Sequence, residues 1–497
     1  MIDYKDLNNY KKSLIILLIS IIIINIIIFN KANFKSSFFI LTVIYTTISG
    51  IASLYYYNKT KNIEQTVFLI IILFGLLCVF LSPINSVSDE GEHFMRSEIT
   101  SHGDFFPKYI TQNNKNGFMS IDSLAHMPMD KTFFETDSWN SQPINTTPHL
   151  VNSAFEQNPF YVYLAQAMGI DLAKLLNLNQ ISMLWAGRFF NLLLYASFTF
   201  IAIKKTPILK VPMAVVATFP LAIVQAASFN SDSFIFSFSF IVIAYLLYMY
   251  KAKEGSLTKK EIGIFTILVI ILGLSKVTLG GFALLILIVP KSNFKNPKDK
   301  YLGFLSIFII LMALIIWAKF YAVGSISHSW RASLFAQKNV NPNNQIKYLL
   351  SDVGGLITFL KIGNQIPVQI DALSKLYTNY NNFPLFNIIY TIFFIIFSIF
   401  YQLEDKIKRN TSIITACTLL IIIFGTYLVQ YLTWAPVGAK DLIESGVVPR
   451  YFLPAFVLIP LIINYKNSKI KNSEILIITC IVIFLCAMLT FMAGIIY

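Results

Sequence analysis

Charge is scarce in this sequence. Only 13% of its 497 residues are Asp, Glu, Lys or Arg, about half the share of an average soluble protein. A chain so poor in charge cannot cover the surface of a soluble domain, and residues of the hydrophobic class make up 56% of it. Cysteine is scarce as well. Cys78, Cys417, Cys480 and Cys486 all fall inside apolar runs, which excludes a disulfide framework or a zinc cluster in the polar segments and leaves them as core residues. There is no G-x-x-x-x-G-K-[ST] phosphate loop and no G-x-G-x-x-G turn. An ATP-driven or NAD-dependent machine therefore lacks its nucleotide site.

Long apolar runs are what the sequence has instead. A helix needs roughly 20 mostly apolar residues to cross a ~30 Å hydrocarbon layer. Runs near 13–29, 37–56, 66–82, 181–203, 211–228, 233–250, 262–275, 277–290, 302–322, 383–401, 411–431, 451–464 and 475–495 read as membrane spans. The expectation is an all-α polytopic membrane protein of about thirteen transmembrane helices. The stretch 262–290 reads either as one long span or as two short helices meeting near Ser275–Lys276, and the lysines on both sides favour two. The first run resembles a signal-peptide core without a small-residue cleavage site after it, so it is read as retained.

The excess of base, 39 Lys and Arg against 25 Asp and Glu, would suggest a nucleic-acid partner on a soluble chain. Here it encodes topology. With the N-terminus in the cytoplasm, the short inner segments 1–12, 57–65, 204–210, 251–261, 291–300, 402–410 and 465–474 hold 22 of the 39 basic residues. The two large outer loops are sparse in base: 83–158 has only Arg96, Lys108, Lys115 and Lys131, and 323–382 has five. The positive-inside rule fixes that orientation. The chain then divides into N-terminal spans (1–82), a first outer loop with an acidic motif (83–158), a central bundle (159–322), a second outer loop (323–382) and C-terminal spans (383–497). Ten of the 25 acids lie in the first loop, with His93, His102, His126 and His149; the fifth histidine, His328, lies in the second. Chemistry, if there is any, belongs on the outer face.

The densest polar cluster is Ser88-Asp89-Glu90-Gly91-Glu92-His93-Phe94-Met95-Arg96, directly after the third span. On a helix over 90–99, Glu92 and Arg96 pair at i,i+4, and Asp89, His93 and Arg96 share a face. A plainer reading makes Ser88 or Asp89 an N-cap, with the acids favouring the helix dipole. Asp89, Glu92 and His93 are also the one set that could ligate a metal, with a divalent cation as its cofactor. The segment Asn158 to Gly169, leading into Asp171 and Lys174, reads as an interfacial or re-entrant helix, with Phe160 and Tyr163 as aromatic anchors. Ionisable residues at span edges are costly unless paired or solvated. Arg188 with Asn191, Asp232 in the turn Asn230-Ser231-Asp232-Ser233, Lys276, and Arg450 before Tyr451 all fall in the outer half. The plainer reading of Lys276 and Arg450 is snorkelling to the surface. Their shared depth with Asp89 points to one outward-facing polar cavity with acid on one side and base on the other.

Taken in order, Asp89-Glu90-x-x-His93-Phe94-x-Arg96, the Pro159-to-Gly169 segment, Gly187-Arg188-x-x-Asn191, Asn230-Ser231-Asp232, Ser275-Lys276, Asn341-Pro-x-x-Gln345, and Trp434-x-Pro-x-Gly438 followed by Pro449-Arg450-Tyr451-Phe452-x-Pro454 resemble a bacterial family of predicted membrane proteins, domain of unknown function 2142. The resemblance runs from about residue 80 to 465. That family is grouped by resemblance with the GT-C glycosyltransferases, multi-span enzymes with an acid in the first outer loop and a polyprenyl-phosphate sugar as donor. The resemblance implies a GT-C-like fold and an inverting glycosyltransferase in the bacterial plasma membrane. Its partners would be the lipid-linked sugar, a glycan, teichoic-acid or glycolipid acceptor, and the bilayer, with no nucleic acid.

On this expectation Asp89, or Glu90 in its place, is the catalytic base. His93, Arg96, Arg188, Asp232, Lys276, Arg450 and Tyr451 bind substrate. A transporter or flippase of lipid-linked saccharides, and a non-catalytic assembly factor, are the competing classes. The lack of half-to-half similarity argues against the transporter.

Overall fold

The computed structural model describes residues 4–29, 37–121, 127–151, 153–322, 331–351, 357–358, 360–373, 375–377, 384–403, 407–464 and 473–497. His126, His328, Lys406, Lys466, Lys469 and Lys471 lie outside the described residues. Three apolar helices open the chain, α1 (Tyr4–Phe29), α2 (Ser37–Thr60) and α3 (Ile63–Leu81). The first large loop follows with α4 (Glu90–Ser101) and an antiparallel sheet of β1 (Ile110–Gln112), β2 (Lys115–Ile121) and β3 (Pro148–Val151), in that order across the sheet. The sheet departs from an all-α expectation: its strands are short, and no run of alternating hydrophobicity announced it.

The central part holds α5 (Leu164–Leu175), α6 (Gln180–Lys205), α7 (Lys210–Ala217), α8 (Pro220–Ala226), α9 (Asp232–Lys251), α10 (Lys259–Ser275) and α11 (Leu302–Trp317). The C-terminal part holds α12 (Pro384–Phe400), α13 (Arg409–Trp434) and α14 (Glu474–Ile496). The axis of the bundle is α6, which packs on α3, α5 and α9. Close approach is built in at Gly187, where a Cβ would fall 1.9 Å from the Phe229 ring. Only a residue without a side chain lets the turn before α9 seat against α6. Helix α5 buries Gln166, Gly169 and Ile170 and exposes Met168, Leu172 and Leu175, an apolar face suited to a membrane interface.

Among the described residues, eight helices are long and apolar enough to cross a membrane: those within α1, α2, α3, α6, α9, 297–322, α13 and α14. The chain is a multi-pass, mainly helical membrane protein. The other five expected spans take shorter forms. The run 211–228 is not one helix. Pro220 breaks it into α7 and α8, because a residue before proline is pushed out of the helical region and Phe219 has ψ 131°. Val277–Ile288 winds as a 3-10 helix, and at about 2.0 Å per residue it reaches about 24 Å, against about 18 Å as an α-helix. Pro449–Leu458, with Pro454 inside it, is also 3-10, followed by one α-turn at Ile459–Ile463. Proline removes the amide that an α-ladder would use there. The segments 262–275 and 383–401 are the helices α10 and α12, of 17 residues each.

Contacts sort the segment ends into two groups. At the lysine-rich end, Tyr57 donates to Glu474 Oε2 at 2.6 Å and Leu257 bridges Phe294. At the other end, Tyr497 donates to the Leu81 carbonyl at 2.9 Å and Tyr321 to the Glu156 carbonyl at 3.0 Å. The described residues of the polar loops 83–158 and 331–377 belong to this second end.

Candidate active site

At the loop end the first large loop, the α9 N-terminus, the α10 C-terminus, α13 and the Pro449 helix enclose a cavity of about 370 Å³. Asp89, His93, Asp232, Lys276, Arg450 and Tyr451 line it. These six expected site residues, spread over more than 360 positions, share one space. Glu90, Glu92, Arg96 and Arg188 are not among its lining residues.

Arg450 is the hinge of the charge pattern. Its Nε stands 2.8 Å from Asp232 Oδ2, and its Nη2 3.8 Å from Asp89 Oδ2. The short contact is an ion pair without a linear hydrogen bond, since Nε–H does not point at the carboxylate and both atoms lack a well-aligned partner. Nη2 also reaches Ser88 Oγ at 3.4 Å, and that hydroxyl donates to Asp89 Oδ2 at 3.1 Å. Opposite, Lys276 Nζ lies 3.2 Å from the centre of the Tyr451 ring, and the Arg450 guanidinium 5.5 Å from the same ring. A cation over a tyrosine face is held without being neutralised. The cavity therefore carries two carboxylates and two cations within reach of one ligand.

Asp89 precedes α4, where a cap would sit, yet its side chain makes no capping hydrogen bond. Its backbone is left-handed, φ 62° and ψ 18°, a region that costs an L-residue about 1–2 kcal/mol. The carboxylate is half exposed, 51%, and faces the cavity. Glu90, one residue on, has the opposite fate. Arg188 Nε and Nη2 grip its two oxygens at 2.8 Å each, and the Phe229 amide donates to Oε1 at 3.2 Å. The remaining Arg188 hydrogens go to the carbonyls of Val79, Ser82 and Pro83. Both side chains are fully buried. This fork ties α3, α4, α6 and the turn before α9 together, so Glu90 and Arg188, expected as base and substrate ligand, are structural partners.

Arg96 is also turned inward, to Thr100 Oγ1 at 2.6 Å and the carbonyls of Phe105 and Asn158. Burial pulls its pKa down, against the opposing pull of nearby Tyr163, Tyr321, Glu156 and Asp104.

His93 stacks flat on Phe155 at 4.2 Å and meets the Tyr163 hydroxyl through Nδ1 at 2.8 Å. Asn158 Nδ2 donates to that hydroxyl at 2.8 Å, so the Tyr163 hydroxyl links the imidazole to the Asn158 carboxamide. Behind it, Ser97 donates to Gln166 Oε1, Gln166 Nε2 to Asn191 Oδ1, and Asn191 Nδ2 to the Ser228 carbonyl. Gln166 Nε2 also donates to the Asn230 carbonyl at 2.8 Å. This chain of amides fixes the Asn230-Ser231-Asp232 turn against α4. Phe155 has neither charge nor a motif to single it out as a site residue, and Gln166 and Trp434 stand inside expected motifs without an expected role of their own. Farther along, Gly438, at φ 82°, donates its amide to Gln345 Oε1 at 2.9 Å. Two of the expected motifs thus meet beside the cavity.

A second polar cluster lies on the loop side. Glu98, fully buried, pairs with Lys174 at 2.9 Å and His102 at 2.6 Å and accepts from Ser120. Burial alone would raise its pKa, but the His102 hydrogen bond, the Lys174 charge and the Ser120 hydroxyl together hold it below the ordinary glutamate value. As for a metal, Asp89 and His93 line the cavity while Glu92 does not. Among the described residues no three or more His, Cys, Asp or Glu gather as a metal site requires.

No curated protein and no solved structure matches this chain. The family described as predicted membrane protein, domain of unknown function 2142, matches residues 72–459, a stretch that holds every cavity residue named above, and the chain belongs to that family.

Proposed function

We propose that this protein is an inverting glycosyltransferase of the GT-C type, working on the outer leaflet of a bacterial plasma membrane with a polyprenyl-phosphate sugar as donor. The reading counts the five shorter apolar segments as further crossings, thirteen in all, and places the lysine-rich end with the N-terminus in the cytoplasm. The observation that carries it is the Asp89–Arg450–Asp232 constellation with Lys276 around one cavity.

Such a transfer needs a base for a hydroxyl that is a poor nucleophile, and cations for a phosphate that departs as an anion. In the step, the acceptor oxygen forms a bond to the anomeric carbon as that carbon's bond to the phosphate oxygen breaks. Asp89 takes the hydroxyl proton, and the electron pair leaves with the lipid phosphate toward Arg450 and Lys276. Asp232 orients Arg450. Acceptors in this reading are cell-envelope glycans, teichoic acids or glycolipids.

The test is transfer of labelled sugar from a polyprenyl-phosphate donor by purified protein in lipid nanodiscs. Label should move into an acceptor glycan with wild type and not with Asp89→Asn. Equal transfer by the two, or none by wild type with any donor of this class, would overturn the reading.

A further inference from the structure

Asn230 opens the turn before α9 and is almost completely buried, at 1% exposure. Its carboxamide has only one orientation available. Oδ1 accepts the Asp232 amide hydrogen at 2.7 Å, and a flipped amide would set donor against donor. Nδ2 is therefore the free end. Among the described residues it has no hydrogen-bond partner, although Asn230 lines the cavity. Buried amide donors are seldom left unmade, because nothing in the interior replaces the water they lose.

The surroundings say what kind of group is missing. The 20-residue helix α9 presents its positive end here. Lys276 rests on the Tyr451 ring, and among the described residues no carboxylate pairs with it. Arg450 is already shared between Asp232 and Asp89. Near Asn230 stand a neutral donor without a partner and a cation with no carboxylate in ion-pair contact among the described residues, which fits a group that only accepts hydrogen bonds and carries negative charge.

We infer that Asn230 Nδ2 is a ligand-binding donor of this cavity, reading an oxygen of the anionic headgroup that Lys276 neutralises. The inference rests on the donor being a lipid phosphate and adds the residue that reads it. Asn230 then has two separable jobs. Oδ1 holds the turn, and Nδ2 holds the ligand.

The experiment measures the dissociation constant of geranyl phosphate for the full chain in nanodiscs. Asn230→Ser keeps an oxygen able to accept the Asp232 amide and loses the unpartnered donor. Asn230→Asp keeps the same acceptor and replaces the donor with a second oxygen. Thermal unfolding near wild type confirms that the turn is intact. Ser should weaken binding roughly tenfold, the loss of one hydrogen bond to a charged group. Asp should weaken it further, and the defect should persist at raised ionic strength, where through-space repulsion is screened. If Ser does not fold, Asp at high salt gives the reading. Wild-type affinity in the folded variants, with binding lost in Arg450→Ala, would overturn the role of Asn230 and leave the proposed function standing. No binding to wild type would overturn both.

Discussion

Arg188 closes a two-pronged fork on Glu90, 2.8 Å at each prong, across 98 positions of sequence and with neither side chain exposed. Removing one partner strands the other charge. Arg188→Ala should destabilise the protein by ~3–5 kcal/mol and reduce its yield in membranes. The pair Arg188→Met with Glu90→Leu should recover part of that loss. Recovery stays partial because the carbonyls of Val79, Ser82 and Pro83 also lose their donor. Thermal unfolding in detergent checks this, and an Arg188→Ala protein as stable as wild type would refute the structural role.

Glu98 makes the first loop pH-sensitive. Its pKa is held down in the folded state by His102, Lys174 and Ser120 against the opposing effect of burial. A depressed carboxyl stabilises the fold above its unfolded value, about 4.3, and the contribution drains away as pH falls through the folded value. Protease resistance of the 83–121 region should therefore drop on acidification below about pH 4.3, and Glu98→Gln should lower resistance at neutral pH and flatten the curve. An unchanged acid limb in Glu98→Gln would place the sensitivity elsewhere.

Arg450 should be irreplaceable by lysine. Its guanidinium reaches Asp232, Asp89 and Ser88 at once, a fork that an ammonium cannot copy. Arg450→Ala should abolish transfer and also leave Asp232 buried beside no arginine. The double change Arg450→Ala with Asp232→Asn removes that stranded charge, so it should restore stability without restoring turnover. Arg450→Lys should retain a small part of the activity. Rates from the transfer assay, set beside melting temperatures, separate the two effects.

Hydropathy made the long helices legible, because a 19- to 26-residue apolar run has few alternatives to crossing. It could not show how proline-containing segments wind. Pro220, Pro449 and Pro454 act through lost amides and fixed φ, which leave no mark on an apolar average. Charge at span edges located Asp89, Asp232, Lys276 and Arg450 near one depth, and the cavity gathers them. The same signal could not separate Asp89 from Glu90. The backbone separates these neighbours, Asp89 left-handed and Glu90 the first residue of α4, and that turn sends one to the cavity and the other into the core. Arg188 illustrates the same point: its partner is set by packing across the fold, and a lone arginine at a span edge looks the same whether it awaits a substrate or holds a glutamate.

Asp89 decides whether the cavity is catalytic. Its side chain caps nothing, and its left-handed backbone is a conformation that Asn tolerates and Gly prefers. Asp89→Asn should fold like wild type and lose transfer, since the amide cannot take the hydroxyl proton. Asp89→Gly should lose transfer as well while matching or exceeding wild-type stability, by up to ~1 kcal/mol, because the strain is relieved. A structural role predicts the reverse order, with Gly destabilised and Asn active. If both variants transfer sugar at the wild-type rate, Asp89 is not the base, and Asp232 is the remaining aspartate lining the cavity.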